Sequence, residues 1–108
     1  MATTYKVLGQ SNPAATTATT LYTVPASTSA VCSTLSVANI GVSTTFRVAI
    51  QPAAATLANQ HYIVYDSAIN AGTAVFLTIG VTLATTDVVT VYAGTANLAF
   101  GLFGSEVT

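Results

Sequence analysis

In the segment TFRVAIQP, residues 45–52, the apolar side chains of Phe46, Val48 and Ile50 alternate with Thr45, Arg47, Ala49 and Gln51. Successive side chains of an extended strand point to opposite faces, so this spacing predicts a strand with one buried face. The same period recurs in TAVFLTIGVTL, where Val75, Leu77, Ile79, Val81 and Leu83 hold every second position, and in NLAFGLFGS, where Leu98, Phe100 and Leu102 alternate with Ala99, Gly101 and Phe103. With TYKVLGQ, ATTLYTV, AVCSTLSVANI, HYIVYDS and DVVTVYA, about eight such segments follow one another, separated by Pro, Gly or small polar residues.

That succession predicts an all-β chain: a single domain folded as a two-sheet antiparallel β-sandwich of about eight strands, jelly-roll or immunoglobulin-like, with little or no helix. A length of 108 residues suits one core. Strands four, six, seven and eight are expected to supply it, with Phe46, Phe100 and Leu77 as the bulky fillers. In AVCSTLSVANI, simple alternation puts Val31, Leu35 and Val37 on one face and Cys32, Thr34, Ser36 and Ala38 on the other. In HYIVYDS, His61, Ile63 and Tyr65 share one face, and Tyr62, Val64 and Asp66 share the other. Pro25 and Pro52 end their strands because proline has no N–H for the ladder. Gly80 marks a bend or bulge. The stretch AAATLANQ is the one candidate for a helical turn or a loop crossing between sheets, and the last two strands are placed to pair across GTA.

Only five residues are charged, namely Lys6, Arg47, Asp66, Asp87 and Glu106, and the net charge is −1. An ordinary soluble domain is about a quarter charged, and that charge keeps copies apart. Here twenty Thr, nineteen Ala and thirteen Val dominate, so the expected state is a homo-oligomer. Two basic side chains do not neutralise the several phosphates that nucleic-acid binding requires, so nucleic acid is not an expected partner. The longest apolar stretch, AVFLTIGVTLA, is shorter than the roughly 18 residues of a membrane span, and no membrane partner is expected. The opening MATTYKVLGQ lacks the layout of a secretory signal. Cys32 has no second cysteine to pair with and reads as a small buried hydrophobe.

The inventory for chemistry is thin. His61 and Asp66 lie five apart on one strand, on opposite faces and separated by about 16 Å at ~3.3 Å per residue. The sequence has no GxSxG, no HExxH and no Cys/His ligand spacing. No catalytic residue, no metal and no cofactor is expected. His61 reads as a half-exposed strand residue or a subunit contact. The five tyrosines, Tyr5, Tyr22, Tyr62, Tyr65 and Tyr92, suit strand surfaces and subunit contacts. Tyr62 and Tyr65 could alternatively be presented to a glycan.

The stretches TTYKVLGQSNPAATT, LYTVPASTSAV, STLSVANIG, TFRVAIQPA, LANQHYIVYD, LTIGVTLATTDVVTVYA and LAFGLFGSEV together resemble small virion structural proteins of tailed phages, especially phages that infect cyanobacteria. The resemblance runs essentially end to end and rests on overall pattern. It implies a β-sandwich that assembles, often as a trimer, on the outer capsid surface as a decoration or cement protein, or else in the tail. The implied partners are further copies of the chain and the major capsid protein or other virion proteins. Tyr5, Tyr62, Tyr65, Leu102 and Phe103 are the expected subunit contacts. The ends MATTYKV and FGLFGSEVT are expected to extend to neighbours, with residues 101–108 dispensable for the fold.

In TLATTDVVTVYA, Thr85, Thr86 and Asp87 form a polar turn before Val89 and Val91 enter the core. An Asp side chain in such a turn accepts backbone N–H bonds and fixes the reversal. Asp87→Ala is therefore expected to lower stability by about 1 kcal/mol, the net value of a typical hydrogen bond, as measured by urea denaturation.

Overall fold

The computed structural model describes residues 2–108. Eight strands are present: β1 (Thr3–Ser11), β2 (Thr19–Thr23), β3 (Ser29–Asn39), β4 (Thr44–Gln51), β5 (Tyr62–Ile69), β6 (Ala74–Leu83), β7 (Val88–Ala93) and β8 (Leu98–Val107). They form two antiparallel four-stranded sheets packed face to face. The first runs β1-β8-β3-β6 and the second β2-β7-β4-β5.

Four of the pairings are nested: β1 with β8, β2 with β7, β3 with β6 and β4 with β5. The chain is thus one long antiparallel ribbon whose tip is the β4–β5 connection. Pairing of β3 with β8 and of β4 with β7 then rolls that ribbon into two sheets. This winding is the jelly roll, and it decides against the immunoglobulin-like alternative. It also separates β7 from β8, which lie in opposite sheets and do not pair across GTA. The AAATLANQ stretch joins β4 to β5 within one sheet through two short 3-10 turns, Pro52–Ala54 and Asn59–His61, and does not cross between sheets.

The core is apolar and lies between the sheets. Phe46 and Phe100 meet edge to face with ring centroids 6.2 Å apart. Leu35, Val37, Val48, Val91, Leu98 and Leu102 are fully buried around them. Leu77 is only partly buried, because β6 is an edge strand.

Strict alternation fails in β3, where Cys32 faces the core and Val31 faces out. The cause is a row of bulges crossing the sheet at one level. Between matching rungs, β8 takes two residue steps (Gly104 to Leu102), β3 takes three (Cys32 to Leu35) and β6 takes four (Val81 to Leu77). An extra residue shifts the side-chain phase and bends its strand. On β6, Gly80 accommodates the bulge with φ +57°, a conformation that glycine adopts without steric cost. On β8, a side chain at Gly104 would run into the Val31 carbonyl oxygen, so the two strands approach there only because Gly104 has none.

The two ends of the chain pair with each other. Thr3 lies opposite Val107, and the Ala2 and Thr108 backbone groups exchange two hydrogen bonds of 2.9 Å. Within this fold the ends do not extend away, and residues 101–108 belong to a strand flanked on both sides. Their removal would strip β1 and β3 of their shared partner and take Leu102 from the core, so the segment is not dispensable.

Side chains lock both ends of the sandwich. Asp87 accepts from the Ala84 and Ala53 N–H groups at 2.8 and 2.9 Å, holding the β6–β7 turn as expected and also the first 3-10 turn. At the opposite end Asn39, 3% exposed, donates to the Val42 and Ile69 carbonyls and accepts from the Gly41 N–H. Between the sheets, the Tyr22 hydroxyl on β2 donates to Glu106 on β8 at 2.6 Å, and Lys6 reaches the other carboxylate oxygen at 3.3 Å.

The Tyr22 hydrogen bond, followed by Lys6, holds the Glu106 carboxyl below its ordinary range. A carboxyl whose folded pKa is depressed adds stability that is present above its unfolded value, about 4.3. That stability disappears as pH falls through the lower folded value. Comparing melting temperatures of the wild type and Glu106→Gln should therefore show a gap at pH 7 that closes in acid below about pH 4.

Candidate interaction surfaces

The outer face of the first sheet follows from its register. Lys6 and Glu106 point inward, toward Tyr22 of the second sheet, so their neighbours Tyr5 and Ser105 point outward and lie opposite each other. Ser105 in turn faces Val31 on β3. Beyond the bulges, Phe103 lies half-buried on this face with its ring over Gly101. Phe76, opposite Ser36 on the β6 edge, is 70% exposed, and Tyr5 on the β1 edge is 85% exposed. Between Tyr5 and Val31 the small residues Gly104 and Ser105 leave a groove of about 460 Å³, lined also by Phe103, Ser33 and Lys6.

The second sheet carries a polar aromatic cluster. Arg47 on β4 lies opposite Tyr92 on β7. Its guanidinium sits 4.3 Å from the Tyr92 ring centroid and 4.2 Å from that of Tyr65. Asp66 takes Nε at 2.6 Å and Nη2 at 3.3 Å in a fork. This pairing lowers the Asp66 carboxyl and raises the Arg47 guanidinium from their ordinary values.

The sequence placed Tyr62 and Tyr65 on opposite faces, but the structure brings them together edge to face at 4.9 Å. Strand β5 carries two extra residues, one between Tyr62 and Val64 and one between Val64 and Ser67, where Asp66 has φ 51°; the first sets Tyr62 opposite Ala49, on the outer face that Tyr65 also occupies. With Asn59 the two rings line a hollow of about 480 Å³.

Of the expected contact residues, Tyr5, Tyr62, Tyr65 and Phe103 reach the surface to differing degrees, whereas Leu102 is fully buried in the core and is not available to a partner. Its period-two position already placed it with Leu98 and Phe100. His61 is buried rather than half-exposed, and its Nδ1 accepts the Ala58 N–H at 3.0 Å, which holds the second 3-10 turn. His61 and Asp66 are therefore engaged with different groups and form no dyad. Cys32 is buried, and burial pushes its thiol up to about 11, so it stays protonated at neutral pH. Phe76 was the surface residue that sequence reasoning missed; its position between Val75 and Leu77 on the alternating strand was the available signal.

Among the described residues, no three His, Cys, Asp or Glu side chains gather in a way that could hold a metal, and no helix is long and apolar enough to cross a membrane. All five charged side chains are engaged within the chain: Lys6 with Glu106, Arg47 with Asp66, and Asp87 with backbone N–H groups. No protein-family model, no curated protein and no solved structure matches this chain.

Proposed function

We propose that this protein is a non-enzymatic structural component of a tailed-phage virion. In this reading it is a capsid decoration or cement protein that assembles as an oligomer, of trimer size, and stabilises the shell. One observation carries the reading: all five charged side chains are engaged within the chain, while an outer sheet face remains exposed, uncharged and partly aromatic. Such a surface repels other copies weakly and loses little on burial. The end-to-end resemblance of the sequence supplies the virion context.

Stabilisation would act by linkage. A protein that binds the mature capsid lattice and not the dissociated subunits favours the lattice, by about 2.7 kcal/mol per site at a free concentration one hundred times Kd.

A second reading, a tail, baseplate or fibre-associated module that binds a glycan, draws on the Asn59, Tyr62 and Tyr65 hollow. Aromatic rings beside an amide offer the stacking surface and hydrogen bonds that a sugar uses.

Quantifying the protein in source virions, and imaging virions carrying a labelled copy, separates the two. Decoration predicts label over the whole shell, near one trimer per local three-fold, and a rise in the disruption temperature of shells to which purified protein is added. Label confined to the tail in a few copies would favour the second reading, and absence from virions would overturn both.

A further inference from the structure

We propose that the outer face of the first sheet is where a second copy of this chain docks, with Phe76 of one copy seated in the groove beside Gly104 of the other. The inference rests on the assembly part of the reading above and names the surface that performs it.

Three features identify the occupant. The first is charge. No charged side chain projects from the middle of this face: Lys6 lines the groove, but its ammonium turns inward to Glu106 at 3.3 Å. A partner with fixed charges would bury them without a counter-charge, which strongly disfavours docking. The chain's own first sheet presents no such charge.

The second is shape. The face carries both a knob and a hole: Phe76 stands out from the β6 edge, and the groove lies over β8, where Gly104 and Ser105 leave room between Tyr5 and Val31. The groove is lined by residues of little bulk: Gly104 carries no side chain, since one would meet the Val31 carbonyl oxygen, and Ser105 is small. An aromatic ring entering it would contact Tyr5 and Phe103, the kind of anchored aromatic that dominates interface energetics.

The third is area. Four strands about 4.8 Å apart and about ten residues long, at about 3.3 Å per residue, span about 600 Å². Two such faces bury about 1,200 Å², the lower limit of specific, stable interfaces.

Knob and groove are different patches of one face. A two-fold axis seats two Phe76 rings reciprocally, while one-way seating closes a ring of more copies.

The test uses the full chain in light scattering and sedimentation from micromolar to hundreds of micromolar. The wild type is expected at a multiple of the 10.9 kDa chain mass. Phe76→Asp is expected to shift it to the single-chain mass, with an unchanged far-UV spectrum. Val42→Asp places the same charge at an exposed apolar residue of the β3–β4 loop and is expected to leave the oligomer intact. Because Cys32 is buried, the double variant Phe76→Cys, Ser105→Cys is expected to form inter-chain disulfides on mild oxidation, whereas Phe76→Cys, Val42→Cys is not.

A wild type that stays a single chain throughout the range overturns the inference, as does an oligomer that Phe76→Asp leaves unchanged. The second result would leave the decoration reading standing if the protein still binds shells. Conversely, an oligomer broken by Phe76→Asp together with no affinity for shells would remove that reading and keep this interface.

Discussion

Strand β8 lies between β1 and β3, and its backbone groups bond on both sides. Without it the first sheet would have neither its centre nor the cover that Leu98, Phe100 and Leu102 give to the core. Gly104 lets β8 approach β3 closely, and the extra residues on β3 and β6 bend the sheet at the same level. The outward placement of Val31 and the groove beside it are consequences of the same bend. Core, curvature and the candidate docking face thus descend from one strand.

The sequence made the class of fold legible because its signal is local. Phe46, Val48 and Ile50 declare a one-sided strand without reference to anything else, and Phe46 and Phe100 meet as expected. Strand order was not legible, since it depends on which ladders form between distant segments. GTA looked like a hairpin turn, yet the chain uses it to change sheets. The Asn39 lock was hidden for a similar reason: its partners Val42 and Ile69 belong to different segments.

The surface was legible in composition and poorly legible in geometry. Five charges among so many Thr, Ala and Val raised the expectation of association; what the structure shows is that these charged side chains are engaged within the chain. Bulges defeated the residue-level reading. One extra residue near Ile63 put Tyr62 on the face of Tyr65, and another near Ser33 exchanged the roles of Val31 and Cys32. Period-two counting assumes an unbroken ladder, and no sequence mark at Ser33 or Ile63 distinguishes them from ordinary strand residues. Leu102 was misassigned because its place near the end of the sequence suggested a free tail, whereas β8 is a central strand.

The nested pairing also sets an order for synthesis. The β4–β5 ladder joins segments close in sequence, but β1 meets β8 across nearly the whole chain, with Thr3 opposite Val107. Contacts so distant in sequence close late and slowly. Until residues 98–107 are in place, β1 and β3 have no strand between them, and the part of the second sheet's apolar inner face that Leu98, Phe100 and Leu102 cover lies open. A growing chain in this state is open to aggregation, and its few charges offer little protection. Prompt addition of residues 98–107 therefore matters more to this fold than addition of an edge strand would.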